Sequence, residues 1–500
     1  MAGATVTVDP AAPVAEVDPR IFGSFVEHMG RCVYTGIFEP GHETADARGF
    51  RADVAGLVRE LGVPILRYPG GNFVSGYNWE DGIGPAADRP RRLDLAWRSI
   101  ETNQVGVDEF VPWNAALGGE TMMAVNLGTR GIDAARSLVE YCNVPGGTYW
   151  SDLRRRNGAA EAYGVKLWCL GNEMDGPWQI GHKTPVEYAR LAHETAKAMR
   201  RVDPSIELVA CGSSHPRMPT FGTWEAAVLE EAYDNVDYLS LHSYFEERNN
   251  DRDSFLASGR NLDLFIESVL ATCDHVRAKG RHHKYINLSV DEWNVWYQKR
   301  FAGEGNLDVE QAPPLIEDTY SVVDAVVVGS LLISLLRHAD RVKIGCLAQL
   351  VNVIAPIRTE PRGPAWRQTT FHPFALTSRQ GRGTVLRVDA TGPTYETSWM
   401  GEVPILDATA VQHEDSVTVF AVNRSQSEPL VVDVDARAFP DLAVGDHTVV
   451  CDDDPDATNT ADAPDRVTPR RLDDVKADSG RIQVTLPPLS WNMLDLHPDG

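Results

Sequence analysis

Val165-Lys-Leu-Trp-Cys-Leu-Gly-Asn-Glu173 is the stretch on which the fold of this chain turns. Five of its first six residues are apolar, and only Lys166 interrupts them. Such a short, continuous run reads as a strand buried on both faces, as in a parallel sheet. It halts at Gly171-Asn172-Glu173, which leaves a carboxylate at the strand's C-terminal end. A second stretch, Tyr285-Ile-Asn-Leu-Ser-Val-Asp-Glu-Trp293, ends the same way with Glu292. In a closed parallel barrel, strand ends of this kind share one face, and that face carries the chemistry.

Further apolar runs extend the pattern. Strands are expected at Phe22–Val26, Ile65–Tyr68, Met122–Asn126, Val165–Leu170, Glu207–Cys211, Tyr238–His242, Ile286–Val290 and Val342–Gln349. Amphipathic segments between them predict helices, among them Asp53–Leu61, Ala134–Tyr141, Pro185–Val202, Leu262–Lys279 and Asp318–Leu336. Eight strand–helix units predict an α/β fold, a (β/α)8 TIM barrel, over residues 18–378. The rival is a doubly wound open sheet. It lacks the Gly-rich phosphate loop after the first strand, because Gly70-Gly71 follows the second.

From about residue 380 the texture changes to short alternating strands divided by turn residues. They are Thr384–Asp389, Ser416–Val422, Pro429–Val434, His447–Val450 and Arg481–Leu486. These predict an antiparallel β-sandwich (jelly-roll-like) domain of residues 379–500, joined by residues 1–17.

The chain has 500 residues, 47 Lys plus Arg and 71 Asp plus Glu, for a net charge of -24. That surface argues against nucleic acid or an anionic membrane as partner and suits a neutral ligand such as a sugar. The first ten residues have no basic start and no apolar core, so a cytoplasmic location is expected. The longest apolar run, Val322–Leu336, is broken by Asp324, Gly329 and Ser334 and does not read as a membrane span. Seven scattered cysteines without a CxxC pair fit a reducing compartment and no structural zinc.

The strand ends collect polar and aromatic groups: Glu27 and His28; Arg67, Gly70, Gly71 and Asn72; Asn172 and Glu173; His242 and Tyr244; Glu292, Trp293 and Trp296; Gln349 and Asn352. Carboxylates and amides suit sugar hydroxyls, and aromatic faces suit sugar C–H groups. A carboxylate pair is the standard equipment for cutting a glycosidic bond. Plain structural alternatives stand beside each residue. Asn172 can cap a turn, His242 can be a hydrogen-bonded core residue, Trp293 and Trp296 can be packing, and Arg67 can pair with a carboxylate. A metal site on Glu27, His28 and His242 lacks ligand spacing, as does a calcium loop on Cys451–Asp456; no metal or cofactor is expected.

Six stretches together identify a resemblance: Gly23-Ser-Phe-Val-Glu-His28, Leu66-Arg-Tyr-Pro-Gly-Gly-Asn72, Leu170-Gly-Asn-Glu173, Leu241-His-Ser-Tyr244, Asp291-Glu-Trp-Asn294 and Ala348-Gln-Leu-Val-Asn352. In this order they resemble the α-L-arabinofuranosidases of glycoside hydrolase family 51, over essentially the whole chain. The resemblance implies a retaining mechanism with Glu173 as acid/base and Glu292 as nucleophile. It implies that Glu27, Asn72, Asn172, Tyr244 and Gln349 hold the arabinofuranose hydroxyls and that Arg67 supports the nucleophile. Trp97 and Trp296 match aromatics around the pocket, and His242 is counted among the substrate-binding residues. It also implies a homo-oligomer, often a hexamer, acting on arabinofuranosyl oligosaccharides. An endo-acting β-glucanase or xylanase on the same scaffold is the alternative. A non-catalytic sugar-binding protein would need the carboxylate pair to be broken, and both glutamates are present.

Overall fold

A computed structural model describes residues 3–439, 442–473, 475–478 and 480–498. Eight parallel strands close into a barrel: β1 (Gly23–Phe25), β2 (Ile65–Tyr68), β3 (Glu120–Ala124), β4 (Leu167–Leu170), β5 (Glu207–Ala210), β6 (Tyr238–Phe245), β7 (Asn287–Val295) and β8 (Val342–Leu347). β8 completes the ring on β1, with Cys346 opposite Gly23 and Leu347 opposite Ser24. Every strand is followed by at least one helix. In β4 all four residues are buried, as its unbroken apolar run requires in a strand with a helix layer outside and a packed barrel inside.

The helix expected at Asp318–Leu336 begins later, at Val322, and runs to Arg337. The reason is a capping box: the Ser321 backbone N–H and hydroxyl both donate to Asp324, at 2.7 and 3.0 Å. Nearly every residue of this helix is buried, because barrel strands lie on one side and the C-terminal sheet on the other.

That sheet has ten strands and is antiparallel throughout except where Gly3–Glu16 runs parallel to Leu430–Asp435. Gly3–Glu16 pairs on its other edge with Thr384–Thr391, so the start of the chain is built into it. Val417, Val419 and Ala421 face a core shared with Val6, Val432 and Val484, drawn from both halves of the folded sheet. Phe420 and Val422 point the other way, into the core of the barrel. This alternation, with period two, lets one strand serve both cores.

Sheet and barrel are joined by buried charge. Asp407 accepts hydrogen bonds from Ser330, Arg337 and Arg424, at 2.6, 2.5 and 2.5 Å. Those cations hold the Asp407 carboxyl below its ordinary range although burial, the largest influence, works against the charge. Beside this cluster Gly329 leaves room for the buried indole of Trp491. A Cβ there would lie 2.1 Å from Trp491 Cδ1.

Gly329→Ala tests this contact. In an exposed helix the change would stabilise by about 1 kcal/mol. Here overpacking against a fully buried indole is expected to cost about 1–3 kcal/mol and to lower the melting temperature. An unchanged or raised melting temperature would contradict the packing described.

Candidate active site

The C-terminal ends of the barrel strands surround a cavity of about 490 Å³. Its walls include Glu27, Asn72, Trp97, Glu173, Tyr244, Glu292, Trp296 and Gln349. Arg67, Asn172 and His242 stand behind this wall and act on the residues in it.

Glu292 sits on β7 and is 5% exposed. Arg67 Nη1 donates to its Oε1 at 2.7 Å, and the Tyr244 hydroxyl donates to its Oε2 at 2.8 Å. The other terminal nitrogen of Arg67 donates to Asn172 Oδ1 at 2.6 Å. Arg67 is itself buried, with its guanidinium 4.9 Å from the Phe25 ring. A guanidinium with both ends engaged fixes Glu292 and Asn172 relative to one another.

A shift in strand register places a second acid beside Glu292. Ser289 pairs with Ser240, yet Glu292 pairs with His242, so β7 carries one residue more than β6 across this interval. Such a bulge re-aims side chains that would otherwise alternate between faces. Asp291 reaches His242 Nε2 at 3.0 Å, while its neighbour Glu292 reaches Arg67 and Tyr244.

Glu173 follows β4 with φ of 43°, in the left-handed region that a non-glycine residue seldom adopts. Strain of this kind clusters at functional sites, where the surroundings hold it. The carboxylate is 8% exposed. Its Oε1 lies 2.9 Å from His242 Nδ1, and its Oε2 accepts from Trp178 Nε1 at 2.7 Å. His242 Nδ1 is also 3.5 Å from Glu292 Oε2. One imidazole nitrogen therefore bridges the two glutamates. Burial, the largest influence, disfavours charge on His242, but Glu292, Asp291 and Glu173 outweigh it and push its pKa up to about 10.

Glu27 closes the far end of the cavity. Its Oε1 accepts from Phe73 N and Trp97 Nε1, both at 2.9 Å, and its Oε2 accepts from Gln349 Nε2 at 3.2 Å. Burial pushes the Glu27 carboxyl up to about 8, against the Phe73 donor; Glu292 raises it further, while Trp97 works to lower it. Gly70 and Gly71 make this placement feasible. A Cβ on Gly70 would lie 2.4 Å from Glu27 Cγ, and one on Gly71 would lie 2.5 Å from Glu27 Oε2. The glycine pair serves a carboxylate where a phosphate loop would cradle an anion. Trp97 rides on a loop whose Asp94 accepts from the Ala96 and Trp97 backbones. Trp296 meets Tyr244 edge to face at 5.1 Å.

Three comparisons with known proteins bear on this site. Residues 57–257 match the α-L-arabinofuranosidase 1 domain, and residues 291–490 match the α-L-arabinofuranosidase C-terminal domain. The chain is 59% identical over 498 residues to an intracellular exo-α-(1→5)-L-arabinofuranosidase of Streptomyces lividans, covering 99% of this chain and 75% of that one. The chain belongs to the family 51 α-L-arabinofuranosidases. Among relatives of this family, an exo-α-(1→6)-L-arabinofuranosidase of Bifidobacterium longum is 52% identical, over 97% of this chain and 96% of its own length. A solved family 51 α-L-arabinofuranosidase from Bifidobacterium longum superposes with a TM-score of 0.96 at 48% identity, covering 99% of this chain and 100% of that one.

Three donors of this family 51 site, on Glu173, His242 and Glu292, lie within 4.8 Å of one another, close enough to suit a cation by distance alone. Each already has protein partners: Arg67 and Tyr244 donate to Glu292, Trp178 donates to Glu173, and His242 has its pKa pushed up to about 10. The cluster is built to hold protons. His28 turns away from it, with Nδ1 on Glu101 at 2.8 Å and Nε2 on the Tyr68 hydroxyl at 2.9 Å. Asp454 and Asp456, in the acidic run after Cys451, donate their backbone N–H groups to Asp452 and Asp454 side chains in local turns.

Residue-by-residue reading missed Asp291, Trp178 and Phe301. Asp291 stands next to a residue that was singled out, and strand alternation would send it to the opposite face. Trp178 follows Glu173 by five positions in a Gly-rich turn, and an aromatic so placed after a strand-end acid was a usable signal. Phe301 gave no signal, and it reaches the cavity opposite Trp97 at 6.3 Å only through the path of its loop.

The pKa of His242 makes a stability prediction. Below its unfolded value near 6.5 the imidazolium contribution is fully present; it fades as pH rises towards about 10. The melting-temperature gap between wild type and His242→Gln should therefore narrow steadily from pH 6.5 to pH 10. A gap that stays constant or widens would show that His242 is not held charged.

Proposed function

We propose that this protein is an exo-acting, retaining α-L-arabinofuranosidase that removes terminal non-reducing arabinofuranosyl residues from arabinose-containing oligosaccharides. The observation that carries this reading is the shared contact of Glu173 and Glu292 with His242 Nδ1, at 2.9 and 3.5 Å. It brings carboxylate oxygens of the two within 4.8 Å. Retaining glycosidases hold their carboxyl groups about 5–5.5 Å apart, and inverting ones about 6.5–9.5 Å.

In the first step Glu292 attacks the anomeric carbon while Glu173 gives its proton to the leaving oxygen. The glycosidic bond breaks, and a covalent arabinosyl ester forms on Glu292. Arg67 and the Tyr244 hydroxyl donate to the nucleophile and aim it beforehand. Glu173 Oε1 is held 2.9 Å from His242 Nδ1, on an imidazole whose pKa is pushed up to about 10. In the second step Glu173 takes a proton from water, which attacks the same carbon and frees Glu292. Loss of the Glu292 charge in the ester removes one of the influences that hold the His242 proton.

Glu27, Asn72 and Gln349 offer carboxyl and amide groups to the sugar hydroxyls, with Asn172 positioned behind them by Arg67. Trp97 and Trp296 supply the apolar faces. Glu27, Gln349 and Trp97 are each at most 5% exposed, so the cavity is blind at this end, and that supports exo over endo cleavage. The same reading includes a cytoplasmic homo-oligomer. No helix among the described residues is long and apolar enough to cross a membrane.

Glu292→Ala should lower turnover of an aryl α-L-arabinofuranoside by about 10⁴-fold or more, as loss of a covalent nucleophile does. Glu173→Ala should still form the β-linked ester from an activated aryl substrate, and added azide should then displace Glu292 to give the α-configured arabinosyl azide, identified by NMR. Wild-type rates in Glu292→Ala, or an azide product of inverted configuration from Glu173→Ala, would refute the double displacement.

A further inference from the structure

We propose that the C-terminal sheet domain contributes a binding platform for the leaving saccharide, formed by Trp399 with Arg217 beneath it. This rests on the reading of the protein as a glycosidase and extends it to the far side of the scissile bond.

The leaving group must lie on the side of the acid, where Glu173, Trp178, Ser214 and His215 form the wall. From there the main cavity runs on into a second one of about 200 Å³; His215, Arg217, Tyr244 and Arg248 line both. Trp399 and Met400 form the outer wall of the second cavity. They belong to the turn of a hairpin, Thr394–Thr397 and Gly401–Pro404, that leaves the C-terminal sheet and reaches back over the barrel. Among the described residues it is the one contribution of that part of the chain to these two cavities.

The hairpin is fixed in place from the barrel side. The Ser398 hydroxyl donates to Asp251, the Ser398 backbone N–H donates to Ser254 Oγ at 3.2 Å, and the Tyr395 hydroxyl donates to the Asp253 carbonyl at 3.1 Å. All three partners lie in the segment that follows β6, the strand that carries Tyr244. Tip and catalytic wall are therefore parts of one continuous support.

Trp399 is 51% exposed although a tightly anchored turn carries it. Arg217 and Arg248 lie over its ring, 5.0 and 5.7 Å from the centroid. Arg248 is paired with Glu246 at 3.0 Å, whereas Arg217 makes no ion pair among the described residues. The two guanidiniums repel one another, and burial together with Arg248 draws the Arg217 pKa down. An indole held flat by cations, with its remaining surface open and an unengaged five-donor group beside it, matches a neutral saccharide: C–H face on the ring, hydroxyls on the donors. Trp178, 48% exposed, lies on the same exit path.

The test compares an aryl α-L-arabinofuranoside, whose leaving group ends near Glu173, with a linear α-1,5-linked arabinotetraose. Trp399→Ala should reduce kcat/KM on the tetraose about tenfold more than on the aryl substrate, mainly through KM. Trp399→Phe should restore most of that difference, since an aromatic face remains, and Arg217→Gln should lower the same ratio. Equal losses on both substrates, or none, with wild-type enzyme active on the aryl arabinoside, would overturn the platform and leave the glycosidase reading intact. Wild-type enzyme inactive on both would overturn that reading and the platform with it.

Discussion

A single buried imidazolium organises this molecule's chemistry. Three carboxylates, on Glu173, Asp291 and Glu292, meet at His242 in a space from which water is largely excluded. Uncompensated, such a cluster could not stay charged, because taking an ion out of water costs several kcal/mol even after the protein relaxes. His242 and Arg67 supply the two positive charges that offset most of it. The same pair divides the roles: Arg67 bears on Glu292, while His242 faces Glu173 with one nitrogen and Asp291 with the other.

Everything around this cluster serves to hold it still. Closing the barrel brings β2, β4, β6 and β7 to one rim, and the extra residue in β7 turns two consecutive acids inward. The Gly70-Gly71 pair lets Glu27 press against backbone at the blind end, where burial keeps its carboxyl neutral close to Glu292. A site built on strand ends and supported by engaged hydrogen bonds reorganises little when charge moves, which is the main source of electrostatic catalysis.

The C-terminal sheet is tied to this barrel by packing and by charge. The helix Val322–Arg337 is enclosed by both, and Asp407 receives Ser330 and Arg337 from it and Arg424 from the sheet. Breaking a buried pair of this kind leaves an unpaired charge, so the two parts are coupled in stability. The hairpin carrying Trp399 is coupled to the barrel in the same sense, through Asp251, Asp253 and Ser254.

Local patterning by itself determined the barrel. Runs such as Ile65–Tyr68 and Pro185–Val202 coincide with the observed elements because burial on one face or both writes a clear period into the residues. It also marked Glu173 and Glu292, since an acid directly after a buried strand stands out. The strands Leu406–Gln412 and Ser490–Pro498 escaped notice: polar residues on them, among them Asp407, Thr409 and Asn492, are themselves buried, so polarity does not mark an outer face. Only the tertiary structure decided which groups meet. The β7 bulge, the bridging position of His242, the retreat of Arg67 and Asn172 behind the cavity wall and the arrival of Trp399 from a distant hairpin all arise from register and closure. Those are set by the summed packing of elements far apart in the chain, and no short window of residues contains them.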